Sequence, residues 1–260
     1  MTIQTPSIGF CTTCRNRLWQ LKQTLPLNSQ TIENTPHSIF LVDYGSTDGL
    51  ADWIWLHFKT QIEQGKLHFF EVKNPVRWHM SKAKNLAHRI SSCDYLFSLD
   101  GDNFLTKSDL EKIQEVARLN IACHQFTGNY DGSRGRVGVP KDIFKSLGGY
   151  DESMLPMGYQ DADFVNRISL ISSRVAKLGG PEKASIENSF SHKMSEIQKT
   201  TLSDSDAYIK MDNFNEKLST LKLAFEGPYR TGGYESFIGL FNGRRVLIDG
   251  FDNYHSVTWD

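Results

Sequence analysis

The stretch Tyr95-Leu96-Phe97-Ser98-Leu99-Asp100-Gly101-Asp102-Asn103-Phe104 is an apolar run that stops at two carboxylates separated by a glycine. Residues two apart on an extended chain project to one side, so Asp100 and Asp102 can converge, while Gly101 lets a ligand approach the backbone. Two carboxylates ~4 Å apart repel by about 4 kcal/mol at an effective dielectric near 20, unless one takes up a proton. A divalent cation removes that cost. Oxygen ligands at the mouth of a strand suit Mg²⁺ or Mn²⁺, with a substrate diphosphate completing the shell. A lone Asp-Gly-Asp is more often a hairpin turn, so the rest of the chain must decide.

Other residues could do chemistry. In Gly158-Tyr159-Gln160-Asp161-Ala162-Asp163 the two aspartates precede a helical apolar face of Phe164, Val165, Ile168 and Ile171. The helix dipole favours first-turn carboxylates by up to about 1 kcal/mol, so capping and catalysis both account for them. Arg15-Asn16-Arg17 places two guanidiniums just after an apolar run. His192 stands alone, and a lone histidine is more often a surface or hydrogen-bonded residue than a ligand. Cys11 and Cys14 form C-x-x-C, the spacing of a redox pair. A disulfide would not explain the cationic loop that follows, and zinc needs a second ligand pair that is not evident. Two reduced thiols at a strand end are expected.

The elements that must position these groups alternate. Apolar runs at 7–10, 39–42, 67–72, 95–99 and 121–126 predict strands. Helical spacing joins Leu18, Leu21 and Leu25 until Pro26, then Trp53, Ile54, Phe58 and Ile62, then Ala83, Leu86, Ala87 and Ile90 behind a Ser81 cap. Ser108 with Glu111 spells a capping box. The alternation predicts a largely parallel, doubly wound α/β sheet, whose ligands bind beyond the carboxyl ends of the strands. Arg15, Asp43 and Asp100 fall at such ends. Residues 128–135 predict a mobile loop, 137–140 a strand, and 185–191 a strand leading to His192. Ser203 opens a long helix striped by Ala207, Met211, Phe214, Leu218 and Leu221, and Asn242-Gly243 predicts a hairpin turn.

Length and charge set the frame. The 260 residues suit one large α/β domain or a domain with an extension, and the net charge of −1 gives no basis for binding nucleic acid. Residues 1–7 lack the pattern of a signal peptide, and no apolar run is long enough to span a bilayer. The expectation is a cytoplasmic protein, either free or peripheral at the inner membrane face.

From about Ile8 to Lys199 the chain resembles the GT-A nucleotide-sugar glycosyltransferases, especially the β-1,4-galactosyltransferase group with its bacterial chondroitin-polymerase-like and family-2 relatives. Arg15-Asn16-Arg17 looks like the family's R-N-R, Asp100-Gly101-Asp102 like its D-x-D, and Gly158 to Asp163 like G-G-E-D-D-D. Trp78 and Lys82 to Asn85 occupy the F-N-R-A-K-x-x-N segment, with Met80 at the arginine's place. The resemblance implies a Rossmann-like GT-A domain over 1–200, with a nucleotide-binding half (1–127) and an acceptor half (128–200). A helix and aromatic hairpin (201–260) would pack on it. It implies inverting, Mn²⁺- or Mg²⁺-dependent transfer of a hexose, galactose or N-acetylgalactosamine, from a UDP-sugar to a saccharide or glycolipid acceptor in polysaccharide biosynthesis. Asp161 aligns with the catalytic base and Asp102 with the metal-binding Asp. Asp100 would meet the donor's sugars, Arg15 and Arg17 the UDP, and Asp43 the uracil. Trp78, Lys82, Asn85, Gly158 and Asp163 complete the expected nucleotide-sugar site. His192 aligns with a metal-binding histidine. Ser189 stands where some members place another ligand, and Gln160 and Met157 depart from the acidic motif. Self-association through the C-terminal extension is a further expectation. Two other readings stand beside this one. A sugar nucleotidyltransferase usually has a glycine-rich phosphate loop, and Cys11 to Arg17 has no glycine. An inactive sugar-nucleotide-binding module is the non-enzymatic alternative.

Overall fold

The structure is a computed structural model that describes residues 6–73, 77–128, 132–172, 174–197, 200–231, 234–251 and 254–256. Buried apolar runs form the strands at its centre. β1 (Ile8–Cys14), β2 (Ser38–Asp43), β3 (Leu67–Val72) and β4 (Tyr95–Ser98) lie in the order β3-β2-β1-β4, all parallel. The helices between them are α1 (Leu18–Ile32), α2 (Leu50–His57), α3 (Lys59–Glu63) and α4 (Met80–Arg89). α5 (Lys107–Arg118) leads to β5 (Ala122–His124), and β6 (Val137–Pro140) pairs antiparallel with both β4 and β5. Then follow α6 (Lys141–Leu147), α7 (Gln160–Ile171), β7 (Val175–Lys177), α8 (Phe190–Met194) and α9 (Asp204–Phe225). β8 (Phe237–Phe241), β9 (Arg244–Ile248) and β10 (Tyr254–Ser256) join antiparallel beyond β3, completing a ten-stranded sheet.

This is the α/β sheet with a parallel centre and flanking helices that the alternation predicts. One apolar layer packs around Phe10, Leu41, Phe69 and Phe97, and the other around Phe40, Phe70, Leu96 and Phe144. Asn242 (φ 48°) and Gly243 (φ 80°) make the predicted two-residue turn, in the left-handed conformation their residue types tolerate.

Local expectations fail where tertiary contacts win. Pro26 lies inside α1, which runs on to Ile32. The ring is exposed, so the carbonyl that loses its partner faces solvent. Ser81 is buried within α4, whose cap position is His79. The capping box is Thr106 with Asp109, two residues before the one expected. The second helix breaks at Phe58 into α2 and α3. Residues 185–191 form no strand, and Ser189 instead caps α8, its hydroxyl accepting from His192 N at 3.1 Å. The buried face of α9 is Ala207, Asn215 and Ser219, while Phe214 and Leu221 of the expected stripe are 51% and 57% exposed. Of the two loops singled out, residues 74–76 and 129–131 lie outside the described residues.

Candidate active site

A cavity of about 570 Å³ opens where the β1–α1 and β4–α5 loops meet the start of α7. Arg15, Arg17, Trp78, Asp100, Asp102, Gly158 and Asp161 all line it, so the structure gathers groups 146 residues apart in sequence, from Arg15 to Asp161.

The loop after β1 is built around Asn16, at φ 51°. Its Oδ1 accepts from Thr47 N at 2.7 Å, and its backbone N donates to Ser46 Oγ at 2.9 Å. Arg15 Nε donates to Glu196 at 2.8 Å and Nη1 to Tyr44 O at 3.0 Å, while Arg17 Nη2 donates to Ser195 Oγ at 3.1 Å. Asp43 is buried just behind this loop and accepts from Ser46 N at 2.7 Å; burial pushes its carboxyl up.

The Asp-Gly-Asp loop is held by polar residues of α1. Thr24, Asn28 and Thr31 donate to the carbonyls of Gly101, Asn103 and Leu105 at 2.7, 2.9 and 2.9 Å. Asp102 accepts from Asn103 Nδ2 at 2.6 Å and from Asn188 Nδ2. Asn188 in turn accepts from Gln20 at 2.8 Å. Burial, then the neighbouring Asp100, pushes the Asp102 carboxyl up to about 6. Both oxygens of Asp102 are hard donors whose charge is poorly compensated, which is a fit for a divalent cation that external oxygens complete.

Lys84 was no candidate in the sequence, yet it lies at the centre. Its side chain is 2% exposed, and its ammonium sits 3.0 Å from Asp100 and 2.7 Å from Asp161. Burial alone would push that ammonium down, but the two aspartates hold it well above the usual lysine range. Gly135 closes over the pair: a Cβ there would stand 2.4 Å from Asp100 Oδ2 and 2.9 Å from Lys84 Nζ.

Other predicted residues sit behind the cavity wall. Asn85 is fully buried and clamps Tyr150, donating to its carbonyl at 2.9 Å and accepting from its N at 2.8 Å. Lys82 pairs with Glu235 at 2.6 Å. Asp163 accepts from Arg167 at 2.7 Å, Ser219 at 2.7 Å and Arg230 at 3.3 Å, all away from the cavity. Gly158 (φ 93°) does line it, and a Cβ there would stand 2.9 Å from Asp212 on α9. Trp78 packs edge-on to Tyr44 at 5.7 Å, and its buried indole N–H has no partner among the described residues. His192 is exposed, with its ring 5.4 Å from that of Trp19, and does not line the cavity. Among the described residues no three His, Cys, Asp or Glu side chains form a group that could hold a metal. Cys11 and Cys14 are free and buried, and burial pushes both thiols up, so neither is poised to react.

Sequence reasoning also missed Asn215. From α9 it donates to the Gly158 carbonyl at 2.7 Å and accepts from Leu155 N at 2.7 Å, fixing the loop that presents Asp161. An asparagine in an amphipathic helix carries no signal of such a role. Lys84 carried none either, as one of several cationic residues in its segment, and only the structure shows that it is buried.

The fold is that of the GT-A glycosyltransferases. The mannosyltransferase PcManGT of Pyrobaculum calidifontis, in complex with GDP-Man and Mn²⁺, superposes with a TM-score of 0.58 at 13% identity, covering 85% of this chain and 75% of that one. S. aureus TarS 1–349 in complex with UDP superposes at 0.56 and 13% identity, covering 84% and 72%. A search of curated proteins returns no match. The family model described as glycosyl transferase family 2 matches residues 10–179, and the chain belongs to that family. Among the described residues no helix is long and apolar enough to cross a membrane.

Proposed function

We propose that this enzyme transfers a hexose, galactose or N-acetylgalactosamine, from a UDP-sugar to a saccharide hydroxyl, with inversion and with a divalent metal. The observation that carries the reading is that one cavity holds Asp161 together with Arg15, Arg17, Asp100 and Asp102. Asp161, as general base, takes the acceptor's proton while the acceptor oxygen bonds to the anomeric carbon and the bond to UDP breaks. A single displacement of this kind inverts the centre. Arg15 and Arg17 face the diphosphate once they exchange Glu196 and Ser195 for it. Asp100 orients the donor's sugars, and Trp78 and Asp43 hold the nucleobase side. Lys82, Asn85, Gly158 and Asp163 act by fixing the walls.

Mn²⁺ or Mg²⁺ would be held by Asp102 and by His192 once its ring leaves Trp19. An ion held there would supply positive charge to the leaving diphosphate. The acceptor is a saccharide chain or a glycolipid reached from the cytoplasm, with the enzyme free or peripheral at the membrane. Self-association would run through the C-terminal extension, a reading supported by the exposed Phe214, Leu221 and Phe225 of α9.

A panel of UDP-sugars incubated with the protein and Mn²⁺ tests the reading. UDP release should be fastest from UDP-galactose or UDP-N-acetylgalactosamine. Preference for another sugar would replace the hexose assignment, and absence of UDP release from every donor would sink the enzymatic reading.

A further inference from the structure

The two carboxylates on which the proposed reaction depends are joined by a residue the reaction does not itself require. Lys84 reaches Asp100, on the loop after β4, at 3.0 Å and Asp161, on α7, at 2.7 Å, and both bonds come from one ammonium. Its backbone carbonyl is engaged by His88 Nδ1 at 2.7 Å, and the His88 ring stacks on Phe144 at 4.6 Å. The lysine stem is thus fixed from below by packing. From the side, the Tyr150 ring centroid lies 5.5 Å from the ammonium. From above, the Gly135 backbone lies close enough that a Cβ there would stand 2.4 Å from Asp100 Oδ2. An ammonium with three donors can satisfy two carboxylates at once and set their separation, which a neutral side chain cannot do.

We infer that Lys84 is a positioning residue: it couples the donor-facing Asp100 to the base Asp161, so that the two approach the bound substrates in register. It touches neither diphosphate nor acceptor in this role. The inference rests on the reading of Asp161 as base. Removing the ammonium leaves two like charges facing each other in a buried setting, and they separate. A misplacement of about 1 Å can cost on the order of 10²-fold in rate. The loss falls on turnover, because the groups that bind UDP lie elsewhere in the cavity.

The test uses the full chain with Mn²⁺ and whichever UDP-sugar the unaltered protein turns over fastest. Lys84→Met should lower kcat about 100-fold while donor KM and the Kd for UDP stay within about threefold. Lys84→Arg, which keeps the charge, should recover at least a tenth of the lost rate. In an Asp161→Asn background, Lys84→Met should cost less than about threefold more, because the lysine acts through Asp161. Equal losses in both backgrounds, or a donor KM that rises as much as kcat falls, would overturn the inference. If Lys84→Met melts below assay temperature, Lys84→Gln, which keeps a polar side chain but not the charge, takes its place. It should fold and remain slow, and wild-type turnover in it would also overturn the inference. Full activity in Asp161→Asn alone would defeat the underlying reading, whereas a dead Asp161→Asn beside an active Lys84→Met defeats only the role of Lys84.

Discussion

Two Asp-x-Asp pairs with identical spacing meet opposite fates in this molecule. Asp100 and Asp102 flank Gly101 in the turn that follows β4, closed by Asn103 N donating to Asp100 O at 2.9 Å, and both line the cavity. Asp161 and Asp163 occupy the first turn of α7, where two residues are about 200° of rotation, so they diverge. Asp161 lines the cavity, and Asp163 is fully buried against Arg167, Ser219 and Arg230. Spacing alone therefore does not make a site. The backbone conformation beneath it decides whether two carboxylates share a ligand or divide the work between chemistry and structure.

The division can be broken one residue at a time. Asp161→Asn should cut turnover by about 10²- to 10⁴-fold, as expected for loss of a general base, and leave the Kd for UDP similar. Steady-state kinetics beside UDP titration calorimetry checks this, and surviving turnover would move the base elsewhere. Asp102→Ala should abolish the Mn²⁺ dependence of UDP binding in the same calorimetric assay, and unchanged dependence would remove Asp102 from the ligand set. Asp163→Ala should act on the fold instead. It removes the carboxylate that faces buried Arg167 and the weaker of the two that face Arg230, which keeps Asp151 at 2.6 Å, a loss of about 3–5 kcal/mol seen in chemical denaturation, while each folded molecule keeps its kcat.

How far the sequence revealed this contrast follows from the range of the interactions. The strands of the parallel centre and the Asn242-Gly243 turn depend on local apolar patterns and local φ preferences, and both can be read from the chain. Only family motifs link Arg15, Asp100 and Asp161 in the sequence, and in the structure the three line one cavity. What stayed hidden are contacts made at long range by polar residues that look ordinary locally. Thr24, Asn28 and Thr31 lie on a helix that reads as amphipathic, yet they hold the Asp-Gly-Asp loop. Lys84 reads as one more lysine in a K-x-x-N segment. The strand expected at 185–191 failed because Asn188 and Ile186 bond to Asp102, which ties the segment to a loop rather than to a sheet edge.

The buried network around Asp163 also has a pH signature opposite in sign to that of the cavity pair, whose carboxyls are pushed up. Burial pushes the Asp151 carboxyl up, but bonds from Lys222 and Ser153 outweigh it and hold the group at about 2. Its folded pKa thus lies below the unfolded value of about 3.9, and it stabilises the fold fully above that value. The contribution disappears as pH falls from about 4 towards 2. Denaturation midpoints measured from pH 6 to 2.5 should decline over that window, and Asp151→Asn should flatten the decline. An equally steep decline in the variant would assign it to other carboxylates.

The smallest effect probes the residues between the aspartates. Gly101 does not need a left-handed φ, and a Cβ there would meet Thr13 O at 3.4 Å, an ordinary contact. Gly101→Ala should therefore change stability by less than about 1 kcal/mol, since relief of backbone entropy offsets a tight fit. Ala162 sits in the first turn of α7, where glycine costs roughly 0.5–1 kcal/mol in helix propensity. Ala162→Gly should lower the denaturation midpoint by that amount and also loosen the rotation that separates Asp161 from Asp163, so kcat should fall a few-fold with it. Gly101→Ala should leave Asp100 and Asp102 lining the cavity and leave kcat and donor KM unchanged, because the methyl group packs against Thr13 and Leu21. If instead Ala162→Gly leaves kcat unchanged, the helix is held by Asn215 and the Asp163 network rather than by its own propensity, and the geometry of the second pair belongs to tertiary structure alone.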